Sequence, residues 1–415
     1  MQVKRSSGIQ VDRRSLVETA SALVDIPSPT GSEQAMAEHV AGLFHELGMH
    51  VQWQEVEDGR PNVVGTWRGT GGGKTLMFNG HMDTSYSGHE PWLAGHRGFR
   101  PEARVEGDYL FGLGISNMKG ALACYVEAVR ALQAAGIRLK GDVLIAAVVG
   151  EIEKTQWGEE FRGKEYRGYA AGSRHLVSHG GIADMCVLGE PTEQRIVLGH
   201  YGSIWMRLTT RGPFIHTAFS GGRSEENSIL RMRAVLDAVE EWIPEWQART
   251  SYGDKPGVVN VGSIRGGFPW RVSRTPERTS LFLDVRVPPT MPMAEARGAL
   301  SDWVRALQER FPDFGLDWEV YVSAPGAEIE EGHELVRAIN ESHTDVYGSA
   351  PDRDTVRWFS DASVLTRYGI PTVNYGTSSG LPGAEGENLE IRGLVDTARV
   401  YALTAQRVCG VAEGS

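Results

Sequence analysis

The sequence predicts an α/β protein, in which a mixed, mostly parallel sheet flanked by helices is interrupted by an inserted α+β lid. Three observations support this fold class. Amphipathic helix patterns alternate with short apolar strands near both ends of the chain, whereas the middle alternates apolar and polar residues. A chain of 415 residues is also too long for one compact core. We therefore predict an α/β domain in two parts, 1–202 and 326–415, around an inserted lid at 203–325.

The elements of the first part follow from the periodicity. Two amphipathic helices come first, "RRSLVETASALVDI" and "SEQAMAEHVAGLFHELG"; Ser32 is the expected N-cap of the second and Gly48 its expected stop. The strands "HVQWQEV", "PNVVGTWRG" and "KTLMFNGHMD" follow, and then the long helix "MKGALACYVEAVRALQAAG". "DVLIAAVVGE" is almost continuously apolar, which is typical of a strand buried on both faces.

The pattern changes near residue 200. "GSIWMRLTTRG" and "SLFLDVRVPP" alternate apolar and polar side chains, as half-exposed antiparallel strands do, and helix patterns follow each of them. The first pattern returns in the helix "HELVRAINESHTDVYG", the strand "IPTVNYG" and the helix "IRGLVDTARVYALTAQRVC". An insertion between two parts of one α/β domain explains this order.

Composition limits the classes of partner. The net charge of −11 argues against nucleic acid, which requires a basic stripe. Apolar runs of membrane-spanning length and a secretory h-region are both lacking, so we predict no membrane partner. The three cysteines are far apart, which disfavours a disulfide framework or thiolate zinc. We expect a cytoplasmic protein.

Residues able to bind a metal follow several predicted strands, and one more stands at a helix start. They are His81, Asp83, Asn117, Glu151, Glu153 and Glu190. Ligands of open α/β sheets bind at the carboxyl ends of the strands, and one imidazole with several carboxylates suits a divalent metal. Residues two apart on a strand point the same way, so Asp83 is expected to orient His81.

The ordered motifs resemble the M20 metallopeptidase family, which includes acetylornithine deacetylase, aminoacylases and carboxypeptidase G-like enzymes. The matching segments span roughly residues 15–403 and are "NGHMDT", "FGLGISNMKG", "GEIEKTQWG", "LGEPT", "GPFIHTAF", "GGFPWRVS" and "FSDASVLTRYGIPTVNYG". The resemblance implies that His81 and Glu190 are ligands of one metal and that Asp83 is the partner of His81. Asn117 falls on the aspartate that bridges two metals in the family.

Two further positions depart from the family pattern. Aligned through "EKTQWG", Glu153 takes the place of a second-metal ligand and Ile152 that of the general base; a shift of one residue makes Glu151 the base instead. The histidine expected after "GIPTVNYG" is missing, and either Glu385 or Glu387 replaces it or that ligand is absent. Because Asn117 is neutral and cannot offset the repulsion between two cations, we predict one divalent metal, with Mn²⁺ favoured over Zn²⁺.

The resemblance also implies roles outside the metal centre. His216 falls on a lid histidine that stabilises an oxyanion, and Asn227 on a lid asparagine near the substrate. Guanidinium groups suit substrate carboxylates, and aromatic side chains suit planar groups. Candidate substrate contacts are therefore Arg271, Arg286, Arg353 and Trp270. The lid of this family commonly pairs between subunits, so the resemblance implies a homo-oligomer.

The predicted reaction is hydrolysis of a C–N bond in a small carboxylate-bearing substrate by metal-activated water. The altered positions are similar to those of divergent aminohydrolases of the 5-nitroanthranilate type, in which water replaces an aromatic amino group and ammonia is released. Two alternatives are an N-acyl amino acid deacylase of the ordinary family type and a metal-free pseudoenzyme or binding protein.

Overall fold

The computed structural model describes residues 8–93, 95–96, 98–152, 154, 166–378 and 380–414. The contacts divide the chain into two compact units. The first unit comprises residues 1–198, 328–354 and 360–415, and the second comprises residues 199–327 and 355–359. The segment 355–359 belongs to the second unit although it is distant in sequence from residues 199–327. The sequence pattern did not predict this.

Within the described residues the chain forms nine α-helices: α1 Arg13–Val24, α2 Gln34–Glu46, α3 Gly120–Ala134, α4 Ala171–Ser178, α5 Ser228–Arg249, α6 Met293–Arg310, α7 Glu334–Tyr347, α8 Ala362–Leu365 and α9 Ile391–Cys409. The strands of the same residues are β1 His50–Glu57, β2 Arg60–Trp67, β3 Leu76–His81, β4 Arg104–Glu106, β5 Tyr109–Phe111, β6 Val143–Val148, β7 Met185–Leu188, β8 Ile196–His200, β9 Gly202–Arg211, β10 Val259–Gly266, β11 Arg278–Val287, β12 Asp317–Ala324, β13 Ala327–Glu328, β14 Arg353–Val356, β15 Thr372–Asn374 and β16 Asn388–Glu390. None of the helices in the described part of the chain is both long and apolar enough to cross a bilayer.

The large sheet has the strand order β1-β2-β6-β3-β7-β15-β8-β13, and β14 pairs with β8. Its centre is parallel: β3 runs parallel to β6 and β7, and β15 runs parallel to β7. The outer pairs β1–β2 and β2–β6 are antiparallel. Every residue of β3 and β6 is buried, as expected for central strands covered on both faces. The predicted fold class is confirmed.

One local prediction is wrong. Helix α2 begins at Gln34 with Glu33 as its N-cap, not Ser32, and the Glu33 side chain makes no capping hydrogen bond. The Glu33 carboxylate instead accepts hydrogen bonds from Arg60 Nε at 2.8 Å and Nη2 at 2.6 Å. Both side chains are fully buried, and a buried charge requires such a partner. The ion pair therefore takes the side chain away from the helix end.

The second unit contains an antiparallel sheet with the order β10-β11-β9-β12. Buried residues of β9 and β11 share one core with the apolar faces of α5 and α6. Along β11 the buried residues alternate with partly exposed ones, because one face of the sheet packs against the helices. Two of the four strands, β10 and β12, add to the two that the sequence predicted.

Candidate metal centre

Three of the predicted ligands follow the parallel strands at the centre of the large sheet. His81 is the last residue of β3, Glu151 follows β6, and Glu190 follows β7. Since β3 runs parallel to both of its neighbours, the three strands end at the same edge. The three side chains meet there, where the sequence analysis placed them.

The three side chains form a compact and buried donor group. One ligand atom from each of His81, Glu151 and Glu190 lies within 4.8 Å of the other two. His81 Nε2 is 3.9 Å from Glu151 Oε2 and 4.0 Å from Glu190 Oε1. The amide oxygen of Asn117 lies 2.9 Å from the same imidazole nitrogen. Four donor side chains thus surround one small volume.

Asp83 holds the imidazole of His81 in this orientation. Nδ1 of His81 lies 2.8 Å from the backbone oxygen of Asp83 and 3.5 Å from its carboxylate. The carboxylate accepts hydrogen bonds from the Thr30 hydroxyl at 2.9 Å and the Glu151 backbone N–H at 3.1 Å. The sequence analysis expected Asp83 to orient His81, and the nearer of its two contacts with the imidazole is made by the backbone carbonyl. A proton on Nδ1 leaves the lone pair of Nε2 facing Glu151 and Glu190.

The buried carboxyl groups of the centre favour the binding of a cation. Burial, together with the nearby charges of Asp361 and Asp83 and against the opposing effect of His81, raises the pKa of Glu190 to about 7. Burial, followed by the charge of Glu190, raises the pKa of Glu151 well above its ordinary value. Like charges crowded into a buried volume disfavour ionisation. A divalent cation would offset them.

The donor chemistry fits such a cation. Glu190 Oε1 is buried and has no hydrogen-bond partner within the described part of the chain. A buried polar atom without a partner is costly, and a metal ion would satisfy it. One imidazole nitrogen with carboxylate and amide oxygens suits Mn²⁺ or Zn²⁺.

Asp361 is a buried carboxylate that the sequence analysis missed. Its Oδ2 accepts a hydrogen bond from the Ser173 hydroxyl at 2.8 Å, and its Oδ1 has no partner among the described residues. Burial raises its pKa to about 6. The signal was its position in "FSDAS", one of the recognised motifs, but only the tertiary structure brings its charge near Glu151 and Glu190.

The sequence analysis left open which residue is the base and which residue replaces the missing histidine. Glu153 lies outside the described residues, whereas Glu151 belongs to the donor group. Ile152 is buried, and its backbone N–H lies 3.3 Å from the Asp83 carboxylate. Glu385 is exposed and lies 3.1 Å from His96. Glu387 instead accepts hydrogen bonds from the backbone of the loop that carries Asn117.

The remaining predicted residues have local partners within their own units. In the second unit, His216 Nδ1 accepts a hydrogen bond from the Ala218 N–H at 3.2 Å. Asn227 caps α5, and Arg286 pairs with Asp284 at 2.7 Å. In the first unit, Arg353 pairs with Glu331 at 2.6 Å.

Trp270 and Arg271 lie together in the loop between β10 and β11. Both are exposed, and the Trp270 side chain retains 79% of its accessible surface. The Trp270 ring also packs against that of Phe268, with centroids 5.5 Å apart. The pair is accessible for the substrate contacts that the sequence analysis predicted, and those roles remain predictions.

The fold and the donor group are those of an α/β protein whose central strands carry potential metal ligands at their carboxyl ends. The family model described as "Peptidase family M20/M25/M40" matches residues 77–407. The chain therefore belongs to this family and is a metal-dependent hydrolase that acts on C–N bonds.

Individual relatives are similar to the chain over most of its length but at low sequence identity. The chain is 27% identical to an N-formyl-4-amino-5-aminomethyl-2-methylpyrimidine deformylase of Bacillus subtilis, over 89% of this chain and 88% of that protein. It is also 27% identical to a succinyl-diaminopimelate desuccinylase of Gluconobacter oxydans, over 90% of this chain and 91% of that protein.

The fold is shared with a solved structure from the same family. The Bacillus subtilis YXEP protein, described as a dinuclear metal-binding peptidase of the M20 family, superposes with a TM-score of 0.64. The alignment covers 96% of this chain and 99% of that one at 14% identity. At this identity the comparison concerns the fold alone.

Proposed function

We propose that this protein uses one divalent cation per active site, bound by His81, Glu190 and the amide oxygen of Asn117, to hydrolyse a C–N bond. The observation that carries the proposal is the position of Asn117, whose Oδ1 lies 2.9 Å from His81 Nε2. An amide can offer an oxygen to one cation but adds no negative charge to hold two. Mn²⁺ is the favoured cation, and Zn²⁺ is the alternative.

The chain supplies the base and the orientation of the site. When bound, the cation lowers the pKa of a water molecule and so favours its deprotonation. Glu151 lies next to His81, and burial raises the pKa of its carboxyl group, so it binds a proton more tightly than a solvated glutamate does. Asp83 fixes both groups, because its carbonyl faces His81 and its carboxylate accepts the Glu151 N–H.

The specific reaction proposed is removal of an amino group from an electron-poor aromatic carboxylate. The water oxygen forms a bond to the ring carbon, the C–N bond breaks, and the leaving nitrogen takes a proton to depart as ammonia. The support is that the departures from the family pattern fall on the bridging and base positions and on the second-metal ligand, which indicates altered chemistry. Arg271 and Trp270 are the exposed candidates for contact with a planar carboxylate substrate.

A second candidate function is hydrolysis of an N-acyl amino acid. Relatives that match about nine-tenths of the chain are named a deformylase and a desuccinylase. Both names describe removal of an acyl group from nitrogen, so this candidate rests on the comparisons and not on the altered positions.

One assay separates the two candidates. The Mn²⁺-loaded protein is incubated with 5-nitroanthranilate and, separately, with N-formyl, N-acetyl and N-succinyl amino acids. Ammonia release from the aromatic amine without acyl cleavage supports the proposal, whereas acyl cleavage alone selects the deacylase. Turnover of neither class, together with a protein that binds no metal, contradicts both and indicates a binding protein.

A matched pair of variants separates the base from the ligand. Glu190→Gln is expected to lose the cation. Glu151→Gln is expected to retain it while the rate falls roughly 10²–10⁴-fold, the contribution typical of a general base. Metal content and rate are measured on the same preparations. Equal loss of metal in both variants would show that Glu151 is a ligand as well.

We also infer that the protein assembles as a homo-oligomer through its second unit. Strand β10 is an edge strand of the four-stranded sheet, and its side chains are largely exposed, including Ile264 at 52%. An exposed edge is a template for pairing with another strand. Ile264→Lys is expected to lower the mass measured by light scattering, whereas Ile182→Lys, at an exposed site of the first unit, is the control.

A further inference from the structure

The position of the Asn117 amide depends on the loop that carries it. This loop follows β5 and leads into α3, and the Asn117 side chain reaches His81 from it. The amide of Asn117 can face a cation only if the backbone at Ser116 and Asn117 is held in place. A group that fixes this backbone therefore controls one donor of the metal centre.

The carboxylate of Glu387 binds the backbone at this point. Its Oε2 accepts hydrogen bonds from the N–H groups of Ser116 at 3.0 Å and Asn117 at 3.2 Å. Hydrogen bonds to a charged acceptor are stronger than neutral ones. Glu387 Oε2 is thus engaged by two backbone donors of the loop that carries Asn117.

The backbone of Glu387 is itself held on both sides. Its N–H donates to the Gly98 carbonyl at 3.1 Å, and its carbonyl accepts from the Gly112 N–H at 3.2 Å. The approach to Gly98 requires glycine, since a Cβ there would lie 2.7 Å from the Glu387 nitrogen. The carboxylate is therefore presented to the loop from a fixed position.

We propose that Glu387 is a positioning residue for the metal centre, holding the loop so that the Asn117 oxygen faces the cation. The inference rests on the proposed one-cation function. Glu387 places a carboxylate on the backbone N–H of Asn117 and so acts on the orientation of the Asn117 amide oxygen.

The test measures metal affinity rather than activity. Metal-free wild type, Glu387→Gln and Glu387→Ala are titrated with Mn²⁺ and Zn²⁺ by calorimetry. Loss of such a supporting carboxylate typically weakens metal binding about 10–100-fold, so Glu387→Ala is expected to fall in this range. Glu387→Gln retains an acceptor oxygen and is expected to lose less. Glu106→Gln, at an exposed residue of β4, is the control and should bind as wild type does.

A double-variant cycle separates positioning from a general loss of structure. If Glu387 acts through Asn117, Glu387→Ala should weaken binding much less in an Asn117→Ala background than in wild type. Circular dichroism and thermal unfolding confirm that each variant is folded. Equal losses in both backgrounds, or wild-type affinity in Glu387→Ala, would overturn the proposal. A wild type that binds one cation but hydrolyses neither substrate class contradicts the proposed function and leaves this inference standing.

Discussion

At the scale of single residues, the contact between Asn117 and His81 is the most informative feature of the site. The Asn117 amide oxygen lies 2.9 Å from the imidazole nitrogen that also faces Glu151 and Glu190, so a cation bound there would take the place of this hydrogen bond. The family position normally carries a bridging carboxylate, whose charge offsets that of two cations. Asparagine therefore bears directly on the number of metals.

The first prediction concerns this number. Asn117→Asp restores a charge where the amide stands and is expected to raise metal affinity and the metal content per chain above that of wild type. Plasma mass spectrometry of dialysed protein measures the content, and Asn227→Asp in the second unit is the control because either side chain can cap α5. More than one tightly bound metal in the wild type would contradict the one-cation proposal.

The second prediction concerns pH. Metal ligands must be deprotonated to bind. Burial raises the pKa of Glu190 to about 7, and that of His81 lies well above its usual value because the carboxylates outweigh the effect of burial. Both groups bind protons more tightly in the metal-free site, so affinity falls as pH falls. For the Glu190 proton alone the loss is about tenfold between pH 8 and pH 6. Calorimetric titrations at the two values test this, and constant affinity would contradict it.

At the scale of secondary structure elements, close packing of strand ends sets the position of Glu190. The end of β15 lies against the end of β7, where the Tyr375 N–H donates to the Leu188 carbonyl at 2.9 Å. Gly376 follows directly, and a Cβ there would lie 1.9 Å from the Glu190 carbonyl oxygen. No side-chain adjustment relieves this overlap, since the atom it meets belongs to the backbone.

The third prediction follows from this approach. Gly376→Ala is expected to displace the Glu190 backbone, to weaken metal binding at least tenfold, and to lower stability by roughly 1–3 kcal/mol, as other overpacking substitutions do. Gly298→Ala is the matched control, because it lies in α6 with no atom within 4 Å of the new Cβ. Alanine favours a helix, so the control should be neutral or slightly more stable. Wild-type metal affinity in Gly376→Ala would contradict the expectation.

At the scale of the whole molecule, a cluster of carboxylates is buried in the interior of the first unit. Four carboxylates, those of Asp83, Glu151, Glu190 and Asp361, are buried near one another beside a single imidazole. A bound cation offsets their repulsion, so metal binding should stabilise the strands that carry them. The second unit has its own core and no member of this donor group.

The fourth prediction is that metal removal loosens the first unit selectively. Free metal at a hundred times the dissociation constant stabilises the folded state by about 2.7 kcal/mol. Chelation at pH 8 should therefore increase hydrogen exchange in peptides covering β3, β6 and β7, whereas those covering β9 and β11 should change little. Mass spectrometry of exchange with and without chelator makes the measurement. Equal changes in both sets of peptides would contradict the prediction.

The fold class and most of the donor group could be predicted from the sequence alone. Apolar runs such as β6 predict central parallel strands, because such strands are covered on both faces. The residues that follow parallel strands then lie at the same edge of the sheet. His81, Glu151 and Glu190 were all placed at that edge by this reasoning. Hydrophobic periodicity is a local property of the sequence, so it is sufficient to predict strands of this kind.

The contacts between individual atoms of the site could be learned only from the tertiary structure. The sequence did not place Asp361 in the centre, assign the His81 contact to the Asp83 carbonyl, or assign Glu387 to the Asn117 loop. The positions of Asp361 and Glu387 depend on packing between segments that are distant in sequence. The His81 contact depends on which oxygen of Asp83, the carbonyl or the carboxylate, lies nearer. Sequence spacing carries no information on either, because such contacts are fixed by the close approach of backbone segments that are distant along the chain.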